Sequence, residues 1–278
     1  MRVILVSYSA QGFAVLQGVC ERVGHTPVAY LHARSLTPGG PTRSGAGSVI
    51  GEIADRIPQG IDLLLPGSKK VLAKTLHGYG ADLMICYGFP WKFPPSALRA
   101  TSLGAINVHT SMLPKYRGPI PVNWAIRNGD QDIGVSIHWM DEEFDSGGIL
   151  IQESGIALDD DVQPARIWGA VDGFISRLLP TALERAAAGF PGTAQCAAHA
   201  SYAGWMEPGF FRIDWGHTRS RIHNQVRAAR FGSSGRSGPT AWVAGERIRV
   251  LRTSLEPADG VEVKGADGPL WIVESIPA

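Results

Sequence analysis

Residues 104–119 read GAINVHTSMLPKYRGP, and this is the most informative stretch of the chain. Its first six residues are predicted to form a buried strand. Side chains two residues apart on a strand share one face, so Asn107 and His109 are expected to point the same way. Pro114 and Gly118 then bend the chain into a loop. The stretch therefore predicts a strand that delivers an amide and an imidazole to one edge of a sheet.

On both sides of this strand, apolar runs alternate with amphipathic stretches, which is typical of βαβ units and a parallel sheet. The predicted strands are Arg2–Tyr8, Pro27–Leu31, Ile61–Leu65, Asp82–Tyr87, Gly104–His109, Gly134–Met140 and Ile149–Glu153, and the predicted helices are Phe13–Val23 and Val162–Ala188. Open α/β sheets bind their ligands at the carboxyl ends of their strands. Asn107 and His109 lie at such an end, so we expect a site there.

The composition changes after residue 189 to Ala, Gly and Pro, which is typical of a linker. We expect a catalytic domain at 1–190, a linker at 191–208 and a small C-terminal domain at 209–278. The last part is predicted to contain a helix at Thr218–Arg230 and strands within Thr240–Ser254 and Val261–Ile276, with turns at glycines. The predicted fold class is therefore α/β: a mostly parallel sheet with helices on both faces, plus a small C-terminal β-barrel-like domain.

The bulk composition excludes several classes of protein. The chain has 278 residues, of which 44% are hydrophobic and 18% charged, values that are ordinary for a globular protein and not for a disordered one. No apolar run approaches the length of a membrane helix, and the N-terminus does not resemble a signal peptide. Cys20, Cys86 and Cys196 form no CxxC pair and no metal-ligand spacing, so we expect reduced thiols, no metal and a cytoplasmic location.

The net charge of +1 does not predict a polyanionic partner, but the charges are unevenly distributed. Nine arginines lie between Arg212 and Arg252, against Asp214 and Glu246. A phosphate-binding face and an ordinary solvated surface are both compatible with this segment.

A paired amide and imidazole suit acyl transfer to an amine. The attacked carbonyl oxygen becomes an oxyanion, which the Asn107 amide can stabilise, and His109 can move the proton that the amine must lose. A histidine in this role is usually oriented by a carboxylate, and the acidic loop at 140–148 offers candidates. His138 in the preceding strand and Arg117 after the turn are either ligand contacts or ordinary structural residues.

Further short motifs continue this pattern in a fixed order and spacing. They are Asn107-Val108-His109-Thr110-Ser111, Leu113-Pro114, Arg117-Gly118, Pro121, Trp124-Ala125-Ile126, Gly134-Val135-Ser136-Ile137-His138 and Asp145-Ser146-Gly147. Together they resemble the folate-dependent formyltransferase family. Later motifs, Ser201-Tyr202-Ala203 and Arg212-Ile213-Asp214-Trp215, resemble the start of the C-terminal β-barrel domain of its methionyl-tRNA formyltransferases.

The resemblance implies a Rossmann-like N-terminal domain that binds 10-formyltetrahydrofolate, with Asn107, His109 and Asp145 as the catalytic residues. The residues expected to bind this formyl donor are Tyr87, Gly88, Phe89, His138, Met140 and Asp141. The residues expected to contact the acceptor are Ser111, Arg117 and Gly118.

The acceptor is predicted to be the amine of a small molecule, such as an amino sugar, an amino acid or a biosynthetic intermediate. The alternative is methionyl-tRNA, which the arginine-rich segment favours. In the tRNA enzymes, however, the loop that corresponds to Ser35–Gly45 is longer and rich in Lys and Arg, whereas here it carries Arg43 alone. A hydrolase releasing formate, a non-catalytic folate-binding protein and a homodimer also stay open.

Overall fold

The computed structural model describes residues 1–233 and 237–278. The chain divides into two compact units. The first comprises Met1–Arg117, Gly134–Glu153 and Val171–Ser201, and the second comprises Gly118–Ile133, Ser154–Ala170 and Tyr202–Ala278. Each unit is built from separate stretches of chain. The division into 1–190, 191–208 and 209–278 stays a prediction.

The larger sheet is mostly parallel. Its strands are β1 (Arg2–Ser7), β2 (Thr26–Leu31), β3 (Asp62–Leu64), β4 (Leu83–Tyr87), β5 (Gly104–His109), β6 (Asp132–Trp139) and β7 (Ile149–Ala157). Their order in the sheet is β3-β2-β1-β4-β5-β6-β7. The first five strands in this order, from β3 to β5, run parallel to one another. Strand β6 runs antiparallel to β5. Because β4 and β5 run parallel, their carboxyl ends meet at the same edge.

The helices connect these strands and continue into the C-terminal part. They are α1 (Ala10–Arg22), α2 (Ala46–Arg56), α3 (Lys69–His77), α4 (Pro95–Leu98), α5 (Pro121–Asn128), α6 (Pro164–Ala187) and α7 (Arg219–Gly232). Helix α1 begins three residues before the predicted start because the Ser9 side chain caps it, accepting a hydrogen bond from the Gly12 amide. Helices α2 to α5 have no counterpart among the helices predicted from the sequence.

A continuous apolar layer lies on one side of the parallel strands. It is formed by buried residues of β1, β2 and β4 together with α3 and the segment that follows β4. Its members include Ile4, Val6, Leu31, Leu72, Leu76, Met84, Trp91 and Phe93. Burial of this layer holds the parallel strands in place on one side of the sheet. Polar groups lie at the carboxyl ends of the strands.

The C-terminal residues form a second, antiparallel sheet. Its strands are β8 (Thr240–Val243), β9 (Glu246–Ser254), β10 (Val261–Gly265) and β11 (Gly268–Pro277), in the order β10-β11-β9-β8. Each of the two predicted strand regions is a hairpin, with turns at Gly245 and before Gly268 as expected. Helix α7 packs on this curled sheet around Ile222, Val226, Val250 and Leu270. The predicted fold class is confirmed.

The arginine-rich segment is only partly a surface feature. Arg227 on α7 is 8% exposed, and its guanidinium donates to the backbone carbonyls of Leu158, Asp159 and Asp160 at 2.8, 2.6 and 3.2 Å. Arg227 therefore belongs neither to a phosphate-binding face nor to an ordinary solvated surface. A sequence pattern gives the charge of such a residue but not the direction of its side chain. Arg236 of the same segment lies outside the described residues.

None of the helices in the described part of the chain combines the length and the apolar character that crossing a membrane requires. The three cysteines are free thiols: Cys20 and Cys86 are buried and Cys196 is exposed.

Replacing Arg227 with alanine should destabilise the protein by about 2–4 kcal/mol, because three backbone carbonyls lose the charged donor of a buried guanidinium. The matched control is Arg221→Ala on the same helix, where the exposed side chain should change the free energy of unfolding by less than about 0.5 kcal/mol. Urea denaturation of both variants measures the difference. Equal stabilities would contradict the structural role of Arg227.

Candidate active site

The strand register places three segments side by side at the edge of the sheet. Asn107 near the end of β5 pairs with Cys86 on one side and with His138 on the other. The end of β4 and the end of β6 therefore flank Asn107. His109 follows on the same face of β5, so the predicted strand arrangement brings the two polar side chains together with His138.

The Asn107 amide links two of these groups. Its Nδ2 lies 3.3 Å from Oδ1 of Asp145 and 3.2 Å from Nε2 of His138. The Nδ1 of His138 lies 2.7 Å from the Trp139 carbonyl oxygen, which can only accept, so Nδ1 carries the proton in this contact. In neutral His138 the Nε2 lone pair is then free to accept from Asn107.

A backbone carbonyl also fixes the tautomer of His109. Its Nε2 lies 2.7 Å from the carbonyl oxygen of Tyr116, so Nε2 is the protonated nitrogen. Its Nδ1 faces Oδ2 of Asp145 at 3.7 Å. When Nδ1 takes up a proton, an ion pair with Asp145 forms without any change of tautomer at Nε2.

The surroundings of His109 favour its neutral form. Burial lowers the pKa of His109, because the cation loses its hydration, and the neighbouring His138 adds to this effect. The Asp145 charge and the hydrogen bond to Tyr116 act in the opposite direction and raise the pKa. The imidazole is thus a neutral base whose conjugate acid has a carboxylate beside it, which is the arrangement that proton transfer requires.

The loop that carries Asp145 has little room to vary. Asp145 adopts a φ of 54°, in the left-handed region that non-glycine residues seldom occupy. A Cβ at Gly147 would collide with the carbonyl oxygen of Trp139, the group that holds His138. Only glycine therefore fits at 147 without moving that carbonyl.

Two groups that contact the site were missed in the sequence. The side-chain amide of Gln195 donates to the carbonyls of Asp145 and Gly147 at 2.9 and 2.8 Å, and the Tyr116 carbonyl fixes His109. Gln195 lies in the Ala- and Gly-rich stretch interpreted as a linker, which carries no motif for such a role. A backbone carbonyl, as at Tyr116, has no residue-type signal at all.

The residues expected to bind the formyl donor lie on both sides of Asn107. Tyr87 is buried, whereas Phe89 and Met140 are half-buried and pack against the apolar layer beneath them. A Cβ at Gly88 would collide with the Tyr8 ring, and the φ of Gly88 is 79°. Asp141 is exposed, and its carboxylate accepts from the Glu143 amide and the Ser146 hydroxyl, so it shapes the turn before Asp145.

The three residues expected to contact the acceptor have structural partners. The buried Ser111 hydroxyl donates to the Lys115 carbonyl at 2.6 Å. The Arg117 guanidinium donates to Oε1 of Gln195 at 3.1 and 2.7 Å. Gly118 belongs to the second unit, where a Cβ would lie 2.8 Å from the Tyr202 ring. Contact of these residues with an acceptor stays a prediction.

Residues 1–233 and 237–278 contain no cluster of side chains arranged to ligate a metal.

The sequence match covers the site. Residues 67–167, which contain Asn107, His109, His138 and Asp145, match the family model described as formyl transferase. This part of the chain belongs to the formyl transferase family. A methionyl-tRNA formyltransferase of Synechococcus sp. (strain JA-3-3Ab) is 32% identical over 200 residues, covering 70% of this chain and 60% of that protein. The chain thus spans less than two thirds of that relative's length.

Solved formyltransferase structures share the fold. WlaRD, a sugar 3N-formyl transferase solved in the presence of dTDP and 5-N-formyl-THF, matches 100% of this chain and 98% of its own, with a TM-score of 0.69 and 15% identity. A sugar N-formyltransferase from Shewanella sp. FDAARGOS_354 matches 93% of this chain and 99% of its own, with a TM-score of 0.68 and 19% identity.

The pKa of His109 provides a direct test of the geometry. Because burial lowers this pKa, His109 should titrate below the ordinary value of about 6.5. The Asp145 charge opposes that effect, so Asp145→Asn should lower the pKa further. NMR titration of isotope-labelled histidine measures both values.

The matched control is Asp55→Asn, which removes an exposed carboxylate from α2 and should leave the pKa of His109 unchanged. An unchanged or raised pKa in Asp145→Asn would contradict the pairing of these two side chains.

Proposed function

We propose that this chain transfers the formyl group of 10-formyltetrahydrofolate to an amine of a small molecule. The bond between the amine nitrogen and the formyl carbon would form, the bond between that carbon and N10 would break, and the proton lost by the amine would pass by way of His109 to N10 of the departing tetrahydrofolate. The observation that carries the proposal is the convergence of Asn107, His109 and Asp145 at one edge of the sheet, within the part of the chain that belongs to the formyl transferase family. An amide donor, a neutral base and a carboxylate are the groups that acyl transfer to an amine uses.

Asn107 is proposed to stabilise the developing oxyanion. Its contact with Oδ1 of Asp145, at 3.3 Å, is longer than the usual N–H···O hydrogen bond, and its contact with Nε2 of His138 is also long, at 3.2 Å. Turning one N–H toward an oxyanion therefore gives up only a weak interaction. His138 and Asp145 keep the amide at the correct edge of the sheet and limit its rotation.

His109 is proposed to accept the proton that the amine loses on attack. Its Nε2 already carries a proton and donates to Tyr116, so the arriving proton goes to Nδ1. The proton then lies between Nδ1 and the Asp145 carboxylate, 3.7 Å apart, and the negative charge stabilises the imidazolium. Asp145 therefore acts through His109 or relays the proton to it.

The segments that flank Asn107 fit a flat, partly polar ring such as the pterin of a folate. Phe89 and Met140 offer half-buried apolar surface, and backbone amides and carbonyls at 87–89 and 138–141 lie at the strand ends. When bound, 10-formyltetrahydrofolate supplies an activated formyl carbon. Tyr87, Gly88, Phe89, His138, Met140 and Asp141 are the residues that we propose to hold it.

A small-molecule acceptor is favoured by two observations. The loop at 35–45, which carries Arg43 as its basic residue, lacks the positive charge that an RNA-binding loop needs. The two sugar formyltransferases named above share the fold of this chain, with TM-scores of 0.69 and 0.68. An amino sugar, including a nucleotide-linked one, is the acceptor class that we propose.

A specific feature of the C-terminal sheet favours the second candidate, methionyl-tRNA. Strand pairing sets Arg212 beside Thr240 and Thr240 opposite Arg249, and it sets Trp242 opposite Arg247. Residues paired in this way share one face of a sheet. Trp242 is 67% exposed, and exposed aromatic and arginine side chains on one face are typical of nucleic-acid-binding surfaces.

The two acceptors can be told apart by a formyl-transfer assay with 10-formyltetrahydrofolate and either amino sugars or charged methionyl-tRNA. We expect turnover of an amino sugar that depends little on salt. A tRNA acceptor would instead bind about 10³–10⁵-fold more weakly at 200 than at 50 mM salt if it contacts six to ten phosphates.

The inactive control is His109→Ala, which should lower turnover by about 10²–10⁴-fold. The control for the surface is the double variant Arg247→Gln/Arg249→Gln, which should leave turnover of an amino sugar unchanged. Robust formylation of methionyl-tRNA, weakened by that double variant, would overturn the small-molecule acceptor. Failure of His109→Ala to lower turnover would overturn the role of the site.

A further inference from the structure

The stretch interpreted as a linker is fastened to the first unit by hydrogen bonds. We call residues 193–201 the strap. Thr193 exchanges two backbone hydrogen bonds of 2.8 Å with Ile149 at the start of β7. Along the strap all side chains are exposed except that of Gln195, which is half-buried. The strap therefore has little apolar surface to bury, and its position depends on its hydrogen bonds.

Gln195 uses both ends of its side-chain amide. Nε2 donates to the carbonyls of Asp145 and Gly147, at 2.9 and 2.8 Å, on either side of Ser146. Oε1 accepts hydrogen bonds from Nε and Nη2 of Arg117, at 3.1 and 2.7 Å. One side chain thus joins the loop that carries Asp145 to the loop that follows His109.

The far end of the strap holds that second loop. The Ser201 hydroxyl accepts from the Tyr116 amide at 2.9 Å, and the Ser201 carbonyl accepts from the Arg117 amide at 2.9 Å. The Tyr116 carbonyl in turn accepts from Nε2 of His109. The proton is proposed to move between His109 and Asp145. The strap therefore contacts both the loop that carries Asp145 and the segment whose Tyr116 carbonyl holds His109.

We propose that Gln195 is a positioning residue, which sets the place of the Asp145 carboxylate relative to His109. This inference rests on the proposed function of the same site. Asp145 has a left-handed backbone, which a non-glycine residue keeps only where neighbouring contacts hold it. The two bonds from Gln195 are such contacts, because they fix the carbonyls at 145 and 147. Without them the loop relaxes and the carboxylate moves away from Nδ1.

The test uses Gln195→Met in the full-length chain, which keeps the length of the side chain and removes its hydrogen bonds. The groups with titratable charge that face His109 are Asp145 and His138. With Asp145 displaced, the pKa of His109 should fall, as read by NMR. The kcat for formyl transfer should fall by roughly tenfold to hundredfold, as for a misplacement of about 1 Å, with KM for the formyl donor unchanged.

Gln131→Met is the matched control, because Gln131 is exposed and belongs to the second unit. It should change neither the pKa of His109 nor kcat. Gln195→Ala serves as a second variant if the methionine variant does not fold, as judged by circular dichroism, and the same results are expected from it.

Repeating the titration in an Asp145→Asn background separates positioning from general damage. There the Gln195 substitution should have no further effect on the pKa of His109, because the charge that it displaces is gone. An unchanged pKa in the wild-type background, or an equal fall in both backgrounds, would overturn the proposal. The titration does not require formyl transfer. If the chain formylates no amine, the proposed function is refuted, and the positioning role of Gln195 is still tested by the pKa of His109.

Discussion

The rest of the site depends on one contact, in which the Asp145 carboxylate lies 3.7 Å from the His109 imidazole. Both side chains are nearly buried at the sheet edge, with 11% of Asp145 and 6% of His109 exposed. A carboxylate in such surroundings is stable only with donors or a cation beside it. The Asn107 amide donates to this carboxylate, and His109 supplies a cation beside it only when it is protonated. Protonation of His109 therefore places a cation beside the Asp145 carboxylate, and this attraction offsets part of the cost of burying the cation. A stabilisation that appears only when the proton is transferred is the kind that contributes to catalysis.

The fold meets this requirement with a rigid part and a tied part. The rigid part is the register of β4, β5 and β6, which fixes Asn107 and His138 side by side through backbone hydrogen bonds. The tied part is the loop that carries Asp145, which has a left-handed residue and a glycine packed against the Trp139 carbonyl. Loops allow the side chain to reach across the strand ends, but they need external contacts to stay in one conformation. In this chain Gln195 supplies those contacts.

The sequence predicts the rigid part well and the tied part poorly. Alternation along β5 is enough to put Asn107 and His109 on one face, and the family motif identifies Asp145 among several neighbouring carboxylates. Gln195 could not be found, because the segment around it has a linker's composition and its role depends on where a loop far away in sequence comes to lie. Arg227 shows the same limit of the sequence. Its charge predicted a surface position, whereas in the structure its side chain is buried and donates to the backbone carbonyls at 158–160.

The most direct test of this account is a double-mutant cycle for kcat with His109→Ala, Asp145→Asn and the combined variant, measured with 10-formyltetrahydrofolate and an accepted amine. Because Asp145 is proposed to act through His109, the combined variant should be no slower than His109→Ala alone, as expected for residues that work as one unit. Losses that simply multiply in the combined variant would mean that the two residues act independently. That result would contradict the pairing on which this account of the site is built.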